Sequence, residues 1–265
     1  MDRVLIVGAG IAGLSVAAEL AGSASVSVVD RLPAVGGTSH YDHPLVRSLA
    51  AQARSAGAAF RLGTTALRWQ DRRLLVASPG RIEWINGDHL VYAGGVRPAT
   101  PAEMRLTGSR KAGLVSATVA VHLLEAQVVL GRRPVILGAS DWAEAVAGLL
   151  HETGTRVFIV SEELGAAPFY ADEWWPGWSA VRIGGHRRVE ELTVASRGHE
   201  ERITCDAIIL ADRIRPLRNV EGAINGSADV TFVQLPGASV PSSALMAHAR
   251  AVAAELKTRI RRANP

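Results

Sequence analysis

Three glycines near the N-terminus have the spacing of a loop that binds a diphosphate. Gly8, Gly10 and Gly13 follow the apolar run at residues 4–7 in the pattern G-x-G-x-x-G. In such a loop the first glycine permits a tight turn, the second lets the backbone approach a pyrophosphate, and the third allows a helix to pack closely on the strand. The helix predicted for residues 14–20 would direct its N-terminal amides at the phosphates. The pattern therefore predicts recognition of a nucleotide by backbone groups, and it specifies no reaction.

An acid and a pair of glycines after the next strand strengthen this interpretation. The apolar run "VSVVD" ends at Asp30, which lies 22 residues after Gly8. An acid at this place hydrogen-bonds the 2′-hydroxyl of a ribose and disfavours a 2′-phosphate. Arg31 and the pair Gly36–Gly37 follow, although the pair by itself is also compatible with an ordinary turn. Strand, loop, helix, strand and acid in this order predict a dinucleotide-binding unit.

The composition indicates a chain with a sizeable core and excludes several kinds of site. Of the 265 residues 48% are hydrophobic, which is enough for one large domain or two modest ones. Cys205 is the only cysteine, so an internal disulfide, a CxxC redox pair and a cysteine-rich metal site are excluded. The net charge of +4 comes from arginines that are scattered except in the terminal run "RIRRANP". We therefore expect no nucleic-acid partner.

Two further patterns have plainer explanations than they first suggest. The N-terminal apolar run resembles a signal peptide or a membrane span, but neither explains the regular spacing of its glycines. We therefore expect no membrane span and, with a single cysteine, a cytoplasmic protein. His40, Asp42 and His43 are too few ligands for a metal site, and they fit a loop or a helix cap.

A second set of elements repeats the first. "INGDHLVYAGGVRP" (residues 85–98) and "ITCDAIILADRIRP" (residues 203–216) share the pattern I-x-x-D-x-[LI]-[VI]-x-A-x-x-[VI]-R-P without a gap. Each follows a strand–loop–helix–strand unit, the first opening at Gly8 and the second at Gly138. The repeat predicts an α/β protein with two nested Rossmann-like domains and parallel sheets. We place the first domain at 1–115 with 203–265 and the shorter, inserted one at 116–202.

The second loop differs from the first at the positions that approach a ligand. "GASDWA" has Ser140 in place of the middle glycine and Ala143 in place of the third. A side chain at residue 140 is expected to hinder a pyrophosphate, whereas an alanine is small enough to be tolerated. Because the second strand ends in acids and no arginine, NADP is disfavoured and NAD is the ligand left open. The residues of this impaired site are Gly138, Ser140, Asp141 and Glu162.

These motifs resemble those of the pyridine nucleotide-disulfide oxidoreductase superfamily, in which an inserted NAD(P) domain interrupts an FAD domain. "LVYAGGVRPATPAE" (residues 90–103) is similar to its ATG-x-x-P segment, which passes beside the flavin. "GLVSATVAVHLLEAQVVLGRRPVILG" (residues 113–138) resembles more narrowly the alpha subunits of heteromeric amine and amino-acid dehydrogenases. That group includes hydrogen cyanide synthase, opine oxidase, dye-linked proline dehydrogenase and heterotetrameric sarcosine oxidase.

The resemblance implies an FAD-dependent oxidoreductase, a subunit of a heteromeric dehydrogenase or oxidase that acts on a small amine or amino acid. Its partners would be a second flavoprotein or an iron–sulfur protein. No catalytic side chain is assigned, because the flavin itself carries the redox chemistry. The residues assigned to the cofactor are Gly8, Gly10, Ile11, Ala12, Gly13, Asp30, Arg31, Gly36, Gly37, Thr38, Ala93 and Gly94.

The chain departs from the family pattern at three places. It lacks a CxxC pair, which excludes the disulfide relay of thioredoxin reductase. Gly94 replaces the threonine of the ATG segment. Near the C-terminus Gly237 is not followed by the usual acid, and Asp229 would need a register shift to replace it. The last two departures favour an alternative, a non-catalytic subunit in which the first site holds ADP or ATP for structure.

The densest aromatic cluster follows the second strand of the second domain. It consists of Phe169, Tyr170, Trp174, Trp175 and Trp178. Tryptophan and tyrosine are frequent at binding hot spots, so the cluster fits a contact with a partner subunit. It fits equally a loop that folds back over its own domain, and the sequence leaves both interpretations open.

Overall fold

The computed structural model describes residues 1–37, 43–108, 110–217, 224, 227–233 and 242–263. The chain divides into two compact units, residues 1–96 with 216–265 and residues 97–215. The predicted boundaries, 1–115 with 203–265 and 116–202, differ from these. The difference arises because strands at residues 107–108, 114–116 and 207–210 belong to sheets of the second unit. Such pairing is long-range and has no local sequence signal.

The elements alternate between helices and strands along most of the chain. The helices are α1 (Ile11–Leu20), α2 (Pro44–Ser55), α3 (Ala117–Glu125), α4 (Asp141–Glu152) and α5 (Ser242–Ala263). The first ten strands are β1 (Arg3–Val7), β2 (Ser25–Val29), β3 (Ala59–Arg61), β4 (Thr65–Gln70), β5 (Arg73–Ser78), β6 (Arg81–Asn86), β7 (His89–Tyr92), β8 (Val96–Arg97), β9 (Thr107–Gly108) and β10 (Leu114–Ser116). The others are β11 (Pro134–Leu137), β12 (Phe158–Ser161), β13 (Glu173–Pro176), β14 (Ser179–Gly184), β15 (Glu191–Ser196), β16 (His199–Thr204), β17 (Ala207–Leu210), β18 (Arg215–Pro216) and β19 (Val230–Phe232).

The first unit is built on a parallel sheet in the order β19-β7-β1-β2-β3. Alternate residues of β1 face opposite sides of this sheet. Val4 and Ile6 pack with α1 and α5, whereas Leu5 packs with the antiparallel strands β4, β5 and β6. Burial on both faces explains why residues 4–7 form an uninterrupted apolar run.

The second unit has the same layers. Its parallel sheet has the order β10-β17-β11-β12-β13. Ile136 packs with α3 and α4, whereas Val135 and Leu137 pack with the antiparallel strands β14, β15 and β16. The predicted fold class, α/β with parallel sheets of the Rossmann type, is confirmed.

The sequence repeat corresponds to equivalent strands. β7 lies beside β1 in the first sheet, and β17 lies beside β11 in the second. The repeated aspartate has one structural task in both. The Asp88 carboxylate accepts a hydrogen bond from Arg3 N at 2.8 Å, and the Asp206 carboxylate accepts from Arg132 N and Arg133 N at 2.8 Å each. Each aspartate therefore holds the chain at the start of the central strand of its sheet.

Helix ends account for two further predictions. His43 precedes α2, and its Nδ1 accepts a hydrogen bond from Leu45 N at 3.2 Å, while Pro44 occupies the first helical turn. The predicted capping role of His43 is confirmed, and His40 and Asp42 lie outside the described residues. None of the helices in the described ranges combines the length and the apolar character that crossing a bilayer requires.

Candidate functional site

The first glycine loop joins β1 to α1, and its backbone leaves no room for side chains at two positions. Gly8 has φ +107°, and a Cβ atom there would overlap the carbonyl oxygen of Ala93. A Cβ atom on Gly13 would overlap the carbonyl oxygen of Gly8. The predicted roles of these glycines, a tight turn and close packing of the helix, therefore have a direct steric basis. Ala93 is 5% exposed and packs against the loop at Gly8 and Gly13.

Gly10 is different, because it is open toward a second layer of backbone. The nearest atoms to a Cβ on Gly10 would be Gly36 O at 3.7 Å and Gly37 Cα at 4.0 Å. Gly36 N donates to Ala9 O at 2.8 Å, and Gly37 has φ +64°. The glycine pair thus lies directly against the loop, and a Cβ atom on Gly37 would lie 3.3 Å from Gly10 Cα. Thr38, which was predicted to follow them at the cofactor, lies outside the described residues.

Asp30 turns its carboxylate toward the loop. Its Oδ2 accepts a hydrogen bond from Ala9 N at 2.6 Å, and its Oδ1 accepts from Leu32 N at 2.8 Å. The residue is 8% exposed. A carboxylate has about four lone-pair sites, so two bonds to backbone leave acceptor capacity for a sugar hydroxyl. Asp30 can therefore fix the loop and bind a ribose at the same time.

A cavity of about 290 Å³ opens beside Asp30. It is bounded by Gly8, by Asp30 and Arg31, by residues 64–66 and by Gly94. Its volume lies at the lower limit for small-molecule sites, which suits a nucleoside better than a whole dinucleotide. Residues 64–66 were not predicted from the sequence. A signal existed, because they follow the third parallel strand, and ligands bind at the carboxyl ends of such strands.

The predicted cofactor residues therefore fall into two groups. Gly8, Asp30, Arg31 and Gly94 line the cavity. The remaining described ones form the loop or its supports and are Gly10, Ile11, Ala12, Gly13, Gly36, Gly37 and Ala93. Ile11 and Ala12 are buried at the start of α1, 7% and 9% exposed, so their backbone amides rather than their side chains are the groups available to a phosphate.

Tyr92 explains why Gly94 lacks a side chain. A Cβ atom at residue 94 would lie 2.6 Å from the Tyr92 hydroxyl and 2.7 Å from its ring. The hydroxyl donates to Leu217 O at 3.1 Å, and the ring packs on Phe232 with centroids 5.6 Å apart. Burial raises the pKa of Tyr92, although nearby Arg31 lowers it, so the hydroxyl is a neutral donor. Tyr92 and Gly94 are thus a coupled pair at the edge of the cavity.

The second loop repeats the backbone of the first. Gly138 has φ +105°, and its amide donates to Val160 O at 2.8 Å, as the Gly8 amide donates to Val29 O at 2.8 Å. Val160 therefore corresponds to Val29, and Ser161, the residue after it, corresponds to Asp30. Glu162, which was predicted to belong to the second site, follows this counterpart by one residue.

The side chains of the second loop turn away from the place predicted for a nucleotide. Ser140 Oγ donates to Ala211 O at 2.6 Å, so it points toward the neighbouring strand and not out of the loop. Glu162 forms a salt bridge with Arg213. Asp141 lines a separate, open groove on α4 with Glu144 and Tyr170. The structure therefore brings Gly138 and Ser140 together but directs Asp141 elsewhere.

The acid sought near the C-terminus does not come from Asp229. Its carboxylate accepts from Trp69 Nε1 at 2.9 Å and from Ser227 Oγ at 2.5 Å. Burial alone would raise the pKa of Asp229, but the hydrogen bonds from Ser227 and Trp69 lower it below its usual value. Its acceptor groups are thus used in holding β19 and β4. Gly237 lies outside the described residues.

The tryptophans pack within their own unit. Trp175 and Trp178 stack edge to face at 5.2 Å against one core of the second unit, and Trp174 packs against the other. Phe169, in contrast, is 85% exposed. The interpretation as a segment folded onto its own domain therefore fits the tryptophans, and Phe169 alone has the exposure that a partner contact needs.

Solved structures of other proteins share this fold. The L-proline dehydrogenase from P. horikoshii has a TM-score of 0.71 at 18% identity, covering 98% of this chain and 55% of its own. The thioredoxin reductase of T. acidophilum has a TM-score of 0.72 at 15% identity, covering 98% and 99%. A pyridine nucleotide-disulfide family oxidoreductase from Enterococcus faecalis V583 has a TM-score of 0.71 at 17% identity, covering 97% and 69%. This chain therefore spans about half the length of the proline dehydrogenase chain.

A sequence match identifies the family of the chain, which the shared fold alone does not. No curated protein sequence is significantly similar to the chain. Residues 2–174, well over half of the chain, match the family described as pyridine nucleotide-disulphide oxidoreductase. The match runs through both glycine loops and into β13. The chain therefore belongs to the pyridine nucleotide-disulphide oxidoreductase family.

Proposed function

We propose that the first unit binds FAD and that the protein is an FAD-dependent oxidoreductase. The observation that carries this proposal is the position of Asp30, whose carboxylate meets the glycine loop at the mouth of a cavity. In the described residues no side chain caps α1, whose N-cap is Gly10. The first amides of that helix are therefore available to a pyrophosphate.

The residues present fit the adenosine diphosphate half of this cofactor. Asp30 would hold the ribose, the amides of residues 11–13 would hold the pyrophosphate, and residues 64–66 would cover the adenine. FAD, when bound, supplies the electron-accepting group that side chains lack. The protein's contribution is to bind and orient it through backbone groups that glycines leave accessible.

We further propose that the chain is a subunit of a heteromeric dehydrogenase that oxidises a small amine or amino acid. The resemblance of residues 113–138 to alpha subunits of such enzymes supports this, and one structural neighbour is an L-proline dehydrogenase. Cys205, the only cysteine, is buried, and burial raises its pKa to about 12, so a thiol relay has no support. Electrons would pass instead to a partner, a second flavoprotein or an iron–sulfur protein, in the cytoplasm.

One observation favours a second candidate function. The cavity has about the size of a nucleoside, and Tyr92 fills the space beside Gly94 where the family has a threonine. A subunit that holds ADP or ATP for structure would need no more than this adenosine site. In that case a partner subunit would carry out the oxidation.

The bound nucleotide of the purified protein distinguishes the two functions. We expect the wild-type protein to be yellow and to release FAD on denaturation. The Asp30→Ala variant should contain at least about tenfold less FAD, because a charge-assisted hydrogen bond contributes about 1.5–3 kcal/mol. Asp71→Ala removes an exposed carboxylate in the same unit and should leave the FAD content unchanged. A colourless protein that releases ADP or ATP would replace the FAD proposal with the structural one.

A further inference from the structure

A salt bridge in the second unit crosses the end of its central strand. Arg213 Nη2 lies 2.8 and 2.7 Å from the two carboxylate oxygens of Glu162. Glu162 follows β12 and Arg213 lies three residues beyond the end of β17, and β11 lies between these strands in the sheet. The two side chains therefore meet across the carboxyl end of β11, where the loop leads into α4. In a dinucleotide-binding unit this is the line that the ligand follows.

Arg213 adopts a backbone conformation that favours glycine. Arg213 has φ +48°, a left-handed conformation that is unfavourable for any residue with a Cβ atom. At the equivalent position of the repeat the chain has Gly95, with φ +76°. Arg213 thus has a side chain at a position where the first unit has none. Here the side chain reaches Glu162, and its Nε lies 3.6 Å from Asp212 Oδ2 as well.

The first unit lacks this obstruction. The counterparts of Glu162 and Arg213 are Arg31 and Gly95, and a glycine has no side chain to form a bridge. The first loop accordingly has a cavity beside it, lined by Arg31. Among the described residues, the same fold is thus open across the central strand in the first unit and bridged in the second.

We propose that the ion pair between Glu162 and Arg213 opposes the binding of a dinucleotide at the second loop. The side chains of Glu162 and Arg213 occupy the place at the carboxyl end of β11 where a dinucleotide would bind. A ligand must therefore first break two charge-assisted hydrogen bonds. The proposal concerns the second unit alone and stands whether or not the first unit binds FAD.

Binding of NADH to the full chain tests the proposal, with tryptophan-to-NADH energy transfer as the readout. Trp142, the second residue of α4, is adjacent to the loop and is a suitable donor. We expect Arg213→Gly to bind NADH up to about fivefold more tightly than the wild-type protein, since an exposed ion pair is worth up to about that factor. Glu162→Gln should produce a smaller gain, because the arginine remains.

A matched control is available in the same unit. Arg197 lies in the turn between β15 and β16 and has φ +49°, close to the value for Arg213. Arg197→Gly therefore removes an arginine with the same backbone conformation at a position far along the chain from the second glycine loop. It should leave NADH binding unchanged. Repeating Arg213→Gly with Asp30→Asn should preserve the gain, which places it in the second unit.

Three outcomes would overturn the proposal. The wild-type protein could bind NADH as tightly as Arg213→Gly, which would mean that the pair excludes nothing. Arg197→Gly could produce the same gain, which would make it a general effect of the substitution. The gain could require Ser140→Gly in addition, which would identify the serine and not the ion pair as the obstruction.

Discussion

The two glycine loops share a backbone but differ in the side chains around it. Gly8 and Gly138 have φ values of +107° and +105°, and both amides donate to the second strand of their sheet at 2.8 Å. Around this common turn, Asp30 faces the first loop, whereas its counterpart in the second unit is Ser161. Packing of strand and helix thus preserves the turn in both units, while the side chains beside it differ in charge.

Substituting the first glycine of each loop should have the largest effect. Gly8→Ala and Gly138→Ala place a Cβ atom against backbone, of Ala93 in one case and of Asp212 in the other. Because backbone cannot move away easily and φ is positive, we expect each variant to lose about 3 kcal/mol of unfolding free energy. Urea denaturation followed by circular dichroism measures this loss.

The control is Gly80→Ala, which has φ +76° but no atom within 4 Å of the added Cβ. It should lose only about 1 kcal/mol from backbone strain. If Gly138→Ala were no worse than this control, the two loops would not share their geometry. Only Gly8→Ala should also lower the nucleotide content of the purified protein.

The Tyr92–Gly94 pair offers a smaller test of how the first mouth is shaped. Gly94→Thr restores the family residue but overlaps the Tyr92 ring, so we expect a loss of about 1–3 kcal/mol by overpacking. In a Tyr92→Leu background the same substitution should cost at least about 1 kcal/mol less, since the ring is gone. Thermal unfolding of the four proteins measures this coupling. Additive effects would mean that the two positions are independent.

The smallest expected effect is a pH dependence of stability caused by Cys205. In the sequence repeat this residue corresponds to Gly87 of the first unit. Burial, with the neighbouring Asp206, raises the pKa of the thiol from 9.0 to about 12. The unfolded thiol ionises first as the pH rises, so the folded state loses stability between these two values. This single group contributes at most about 1.4 kcal/mol per pH unit.

The loss should be absent in Cys205→Ala. Unfolding free energies of both proteins at about pH 8 and about pH 10 measure the difference. An identical pH dependence in the two proteins would mean that the thiol is less buried than the structure shows.

Local spacing predicted the parts of the site that depend on backbone. The steric roles predicted for Gly8 and Gly13 and the place of Asp30 beside the loop agree with the structure, because strand, turn and helix follow one another along the chain. Their part in binding a cofactor stays a prediction. Glu162 lies one residue beyond the counterpart of Asp30, and the sequence did not show this, since an apolar run ends gradually and a shift of one residue turns a strand side chain to the other face. Residues 64–66 were missed because they reach the cavity only through pairing of β2 with β3.

The sequence by itself determined the family, the α/β class and the two glycine turns, since each depends on residue types at fixed local spacing. The tertiary structure decided which residues meet at the ends of the parallel strands. Arg213 and Glu162 are far apart in the chain, and only the sheet order β17-β11-β12 brings them together across the second loop. Contacts of this kind depend on which strands become neighbours in the sheet. The order of the strands depends in turn on burial of the whole sheet between the helices and the antiparallel strands.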